Sequence, residues 1–165
     1  MAVTFRLNGE DCRFGGDPMT PLVDILRQDR FLAGTKAVCR EGFCGACTVH
    51  LDGAAVPSCL KPVGLLAGCT VTTIEGLSSG NRTLHPLQAA FEAADAVQCG
   101  MCFPGMVMSL SAFLRDNHEA NRLEIKAAMV GNICRCTGYE RIVDVVADCL
   151  NQARKAPAPV RDAHV

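Results

Sequence analysis

Residues 38–53 read "VCREGFCGACTVHLDG", and the fold of the chain follows from how this stretch is read. Cys39, Cys44 and Cys47 stand at C-x4-C-x2-C spacing, with Gly42 and Gly45 between them. The segment then becomes strand-like in "CTVHL", meets the hairpin-type pair Asp52-Gly53 and returns in "AAVPSC", which carries Cys59 with eleven residues between it and Cys47. A loop of thiols followed by a hairpin that brings back a fourth is the plant-type spacing for a [2Fe–2S] cluster. The glycines belong to the same reading. Without a Cβ they take unusual backbone angles and allow close approach, so that peptide N–H groups can point at the sulfurs.

Working outward, "VTFRL" alternates Val3, Phe5 and Leu7 on one face and meets Asn8-Gly9, after which "EDCRF" returns as a second strand. A helix is predicted from Pro21 to Arg30, with Thr20 as N-cap, Pro21 at the first helical position and Leu22, Ile25 and Leu26 inward. "CTVTTIE" reads as a further short strand. The first half is therefore a small mixed sheet with one helix on it. At "GLSSGN", residues 76–81, the composition changes as at a short linker. Beyond it the strand signal ends, and helices are predicted near 84–96, 104–116, 122–130 and 140–153. The expected organisation is α+β, with domains at 1–76 and 82–155 and a flexible Pro-rich tail at 156–165.

The helical half holds its own cysteines, Cys99-x2-Cys102 in "QCGMCFPG" and Cys134-x-Cys136 in "GNICRCTGY". Pro104 suits the first turn of a helix starting after Cys102, and Thr137-Gly138 precedes the last helix, so two helix N-termini could face one anionic four-thiolate site. Structural zinc is an alternative for either set, more so for the second, whose spacing is less distinctive. Disulfides fit poorly with a C-x-C pair and a reducing compartment. His50, His85, His118 and His164 show no Rieske-type pairing with the cysteines. Cys12, Cys69 and Cys149, and the methionines Met101, Met106, Met108 and Met129, read as apolar filler.

The bulk properties narrow the function. The chain has 165 residues, with 16 basic and 17 acidic side chains and a formal charge of −1, spread without a polybasic stripe. That balance gives no reason to expect a nucleic-acid or anionic membrane partner. No leader pattern and no apolar run of spanning length is visible, so a soluble, cytoplasmic protein is expected. Clustered thiols there more often bind metal or do redox work than form bridges. No nucleotide fingerprint, serine nucleophile or paired catalytic carboxylate stands out.

"CREGFCGACTV", "QCGMCFPGMVMS" and "GNICRCTGY", in this order, closely resemble the small iron–sulfur subunit of molybdenum hydroxylases, the xanthine dehydrogenase and aldehyde oxidoreductase family. The resemblance runs from about residue 3 to 150. It implies a β-grasp plant-type ferredoxin domain followed by a four-helix-bundle domain, each with one [2Fe–2S] cluster. Cys39, Cys44, Cys47 and Cys59 would hold the first, and Cys99, Cys102, Cys134 and Cys136 the second. It further implies a large subunit with a molybdopterin cofactor, a medium subunit with FAD, and assembly as a dimer of heterotrimers. By the same resemblance, Gln98 and Cys136 lie near the pterin, and electrons pass from molybdenum through the two clusters towards flavin. Val38 and Phe103 stand where relatives often carry Gly and Thr. A free-standing ferredoxin-type carrier is the alternative function.

Overall fold

In the computed structural model, which describes residues 2–78 and 83–155, the first alternating run is strand β1 (Val3–Leu7). It pairs antiparallel with β2 (Glu10–Phe14), placing Phe5 opposite Cys12. Asn8 and Gly9 turn the chain at φ 51° and 89°, the left-handed pair that this turn demands. Strands β3 (Thr48–Leu51) and β4 (Ala54–Pro57) form the second hairpin around Asp52 and Gly53, again both at positive φ. Strand β5 (Thr70–Thr72) runs parallel to β1 and antiparallel to β3, which completes a five-stranded sheet in the order β2-β1-β5-β3-β4.

The helix expected from Pro21 to Arg30 is shorter and then wider. Helix α1 (Leu22–Asp24) passes directly into a π turn (Ile25–Asp29), closed by the Arg30 N–H bonding to the Ile25 carbonyl at 3.0 Å. Pro21, not Thr20, is the capping residue, and no side chain caps it. Pro21 is held extended by a bridge to Pro62, so the helical angles begin one residue later. Leu22, Ile25 and Leu26 nonetheless all point at the sheet and are fully buried with Phe5, Leu7, Val49 and Val71.

β3 is buried on both faces. Val49 faces the α1 layer, whereas His50 faces the opposite side, where its Nε2–H donates to the Met108 carbonyl at 2.8 Å. The residues on that side come from the second half: α2 (Pro86–Ala93), α3 (Phe103–Asp116), α4 (Arg122–Ala128) and α5 (Glu140–Lys155). α3 lies against β3 and β4, so the sheet is sandwiched between α1 and α3. The second core collects Phe91, Met106, Met108, Leu110, Ile125, Ile142 and Val146. Two capping boxes start helices here: His85 Nδ1 accepts from the Leu87 N–H ahead of α2, and Asn121 accepts from Leu123 and Glu124 ahead of α4. Arg122 and Lys126 tie α4 to the acidic first turn of α5 through Glu140 and Asp144.

The expected linker is partly structure. Ile74 and Leu77 pack on the helical core, while residues 79–81 of it, like the tail 156–165, lie outside the described residues. The filler reading of the sulfur residues divides. Cys12, Met106, Met108 and Met129 are buried, and Cys69 and Cys149 are half-buried. Met101 is 49 % exposed, because it sits in the tight loop after Gly100, whose φ is +77°, and not on a helix.

Candidate metal centres

The first thiol set forms where the loop before β3 folds over the start of α1. Arg40, at φ 60°, fastens the loop by a paired contact with Asp24 at 2.8 and 3.0 Å, and Val23 packs behind Cys47 and Cys59. Cys59 arrives in the turn of Ser58–Leu60 directly after β4, and the Ser58 N–H and hydroxyl both bond to the Cys47 carbonyl. The hairpin thus brings Cys59 back beside Cys47.

Peptide N–H groups do surround these sulfurs. The Glu41 N–H lies 3.4 Å from Cys39 Sγ. Burial works against the Cys39 thiolate, but N–H groups of Glu41, Cys44 and Phe43 together with the Cys44 thiol hold its pKa at about 6. Burial pushes Cys59 up to about 12, helped by its contact with Cys47 and opposed by the Gly42 N–H. Gly42 has φ +82°, and a Cβ there would overlap the Leu60 side chain. Gly45 also serves the contact between the halves. At φ +71°, its missing Cβ makes room for the Gly131 carbonyl and the Asn132 side chain of the helical half.

The second set forms between the N-terminus of α3, capped by Cys102, and the loop before α5. Cys134 is anchored twice: its N–H donates to Tyr139 Oη at 2.8 Å, and its Sγ meets Thr137 Oγ1 at 3.1 Å. Burial opposes the Cys134 thiolate, but Thr137 and the Cys136 N–H outweigh it and lower its pKa. Its neighbour Cys102 is pushed up to about 12, by burial first and by Cys134 second. Cys99 is lowered by the Met101 N–H and by Cys136, whose own pKa rises through the contact with Cys99.

Among the described residues, no three His, Cys, Asp or Glu side chains converge where a single metal ion could sit. The thiols influence one another most strongly as Cys39 with Cys44, Cys47 with Cys59, Cys99 with Cys136 and Cys102 with Cys134, and more weakly across each set, Cys39 on Cys59 and Cys134 on Cys99 and Cys136. A structural zinc gathers four ligands around one ion, whereas a dinuclear cluster takes two at each iron. The first set holds one thiol lowered, Cys39, and one raised, Cys59, while the second lowers Cys99 and Cys134 and raises Cys102 and Cys136, since four adjacent thiolates repel unless a bound cation balances them. The donor chemistry and the glycine cradle therefore fit a [2Fe–2S] cluster at each set.

The exposures differ. Cys44, Cys47, Cys59 and Cys134 are buried, whereas Gln98, Cys99 and Cys136 lie exposed on one face. Phe103 packs inward on Phe91 with ring centroids 5.6 Å apart. Asn132, Tyr139 and Gly105 border the sites, and sequence reading missed them, as it missed the contact of Thr137 with the Cys134 sulfur. Only their nearness to Cys134 or Cys102 could have drawn attention to them.

Residues 5–77 match a family described as a 2Fe-2S iron-sulfur cluster binding domain, and residues 73–147 match a [2Fe-2S] binding domain. The nicotine 6-hydroxylase small subunit of Paenarthrobacter nicotinovorans is 42 % identical over 91 % of this chain and 90 % of its own length. Xanthine dehydrogenase of Drosophila subobscura is 43 % identical over 78 % of the chain, which spans only 10 % of that longer protein. The crystal structure of quinoline 2-oxidoreductase from Pseudomonas putida 86 superposes with a TM-score of 0.87 at 40 % identity, covering 94 % of this chain and 97 % of that one.

Proposed function

Because the chain belongs to the [2Fe–2S] iron–sulfur subunits of the molybdenum hydroxylase family, we propose that it relays electrons between a large molybdopterin subunit and a medium FAD subunit. The observation that carries this reading is two complete four-cysteine sets in one short chain, the thiols of each brought close enough to shift one another's ionisation. When bound, a [2Fe–2S] cluster supplies one-electron acceptance and release. The chain's residues do the rest. Cys39, Cys44, Cys47 and Cys59 hold one cluster, and Cys99, Cys102, Cys134 and Cys136 hold the other. Gly42, Gly45 and the neighbouring N–H groups of the first loop stabilise negative charge at the Cys39, Cys44, Cys47 and Cys59 set.

In this reading, electrons enter on the face where Gln98, Cys99 and Cys136 are exposed, with Gln98 and Cys136 nearest the pterin. They leave on the face of the first set, rimmed by the exposed apolar side chains of Val38, Phe43 and Leu60. These apolar rims, each about half exposed, suit permanent neighbours better than the brief docking of a free ferredoxin. We divide the chain at 1–76 and 82–155, with 156–165 as tail, and place it in the cytoplasm in a dimer of heterotrimers. Among the described residues no helix is long and apolar enough to cross a membrane. The substrate is chosen in another chain, and the relatives named for nicotine and quinoline make N-heterocycles the first class to assay.

Metal and acid-labile sulfide analysis with EPR after dithionite reduction tests the proposal. The expected result is roughly four irons and four sulfides per chain with two distinguishable signals. Cys44→Ser should remove or alter one signal and Cys134→Ser the other. A colourless protein that carries zinc after anaerobic preparation would sink the reading.

A further inference from the structure

The two thiol sets belong to different halves of the chain, yet their loops are joined directly. The Ile133 N–H donates to the Cys44 carbonyl at 3.0 Å. Cys44 belongs to the first set, and Ile133 precedes Cys134 of the second. One hydrogen bond therefore links the two ligand backbones, from Cys44 Sγ through its own carbonyl, across to the Ile133 amide and on to Cys134 Sγ.

The approach is possible only because three backbones meet with little side chain between them. A Cβ on Gly45 would overlap the Gly131 carbonyl and Asn132, and a Cβ on Gly105 would overlap the Gly45 carbonyl oxygen. Two buried polar side chains meet the Gly45 carbonyl in this seam: Thr48, whose hydroxyl donates at 2.7 Å from within the same half, and Asn132, which reaches it from the other half. Asn132 is 4 % exposed, and its Nδ2 donates to the Gly45 carbonyl at 3.3 Å while its own N–H bonds to Met129 O at 2.8 Å. Burying a carboxamide is costly unless its bonds are used. Here the bond crosses between the halves, one residue away on each side from the Ile133–Cys44 contact. Val38, Ala46, Met101, Ile133 and Arg135 line the cleft alongside the thiols, and Cys44, Ala46 and Cys134 are its buried members.

We propose that Asn132 is the positioning residue for electron exchange between the two thiol sets, holding the Ile133–Cys44 hydrogen bond through which the electron passes. The inference rests on the proposed reading that each set holds a [2Fe–2S] cluster. In the step, one electron leaves the centre at Cys134 and reduces the centre at Cys44. No covalent bond forms or breaks and no proton moves, so the protein need only keep the contact short.

The test uses the cluster-loaded full chain and the graded variants Asn132→Ser, Asn132→Ala and Asn132→Asp, with iron counted first. Each reduced centre should keep its own g-values and potential. The spin–spin splitting between the centres should shrink, and electron equilibration after flash reduction should slow roughly tenfold in Asn132→Ala, as when an outer hydrogen-bond partner is lost. Asn132→Asp, which sets an acceptor against the Gly45 carbonyl, should be slower still, and Asn132→Ser closest to the parent. A variant with full iron, a lower melting temperature and parental splitting and rate would show a merely structural clamp and overturn the proposal. Loss of iron from all three variants would overturn it too, since Asn132 would then determine cluster binding. If the parent chain itself lacks two clusters, it is the proposed function that fails.

Discussion

Replacing Gly105 by alanine sets two physical effects against each other with opposite signs. Gly105 lies in the first turn of α3 with no positive φ, so helix propensity alone favours alanine by up to about 1 kcal/mol. The structure says otherwise. A methyl there would overlap the Gly45 carbonyl oxygen and stand 3.0 Å from Ala46 Cα, both backbone atoms that cannot rotate away. Relief requires α3 and the first cysteine loop to part by about 1 Å, since carbon contacts settle near 3.5–4.0 Å. Overpacking of this kind costs about 1–3 kcal/mol. Straining the Ile133–Cys44 and Asn132–Gly45 bonds adds about 0.5–1.5 kcal/mol each. After the propensity gain is subtracted, the net loss centres near ~3 kcal/mol, which for a chain of this size lowers Tm by about 6–12 °C. Thermal melts of cluster-loaded protein, followed by far-ultraviolet circular dichroism and visible absorbance, measure it. Gly131→Ala is the control: nothing lies within 4 Å of its added Cβ, and it should stay within about 0.5 kcal/mol of the parent. A Gly105→Ala protein as stable as the parent, or more so, would refute the close-approach argument.

Stability should fall as pH drops from neutrality. His50 titrates below its ordinary 6.5 because it is buried beneath α3, and Arg115 adds to this against the pull of the Met108 carbonyl. His85 is lowered by burial and then by His50. The unfolded chain then binds more protons than the folded one, so their contribution is complete above about 6.5 and is lost as pH falls through the lowered folded values. Urea midpoints between pH 7.5 and 5 should show this slope, and His50→Gln with His85→Asn should flatten it; an unchanged slope would reject the assignment. Gly42→Ala should cost about 1–2 kcal/mol for its left-handed backbone and release iron from the first site before the second, as read by EPR during chelator challenge. Cys12→Ser places a hydroxyl in the core opposite Phe5 and should cost about 1–3 kcal/mol in denaturant unfolding, while iron content stays at the parental level.

Much of the architecture was readable because local chemistry wrote it. Asn8-Gly9 and Asp52-Gly53 specify their turns through positive φ, and the alternation of Phe5 and Leu7 sets which face of β1 is buried. The widened α1 was not readable. Leu22, Ile25 and Leu26 suit an ordinary helix equally well, and the extended Pro21 that shortens it depends on Pro62, far along the chain. His85 illustrates the same limit: its capping role needs Gln88 nearby and burial against His50, which no composition reveals.

The sequence alone determined that there are two four-thiol sets, in two halves of different periodicity, because ligand spacing and residue period are properties of a chain read in order. It could not say which thiols pair, since Cys39 meets Cys44 and Cys99 meets Cys136 only once loops close over one another. Nor could it say that Gly45, Gly105 and Asn132 join the halves. They lie apart in sequence, and their use depends on backbones from three segments meeting at one point, which packing alone arranges.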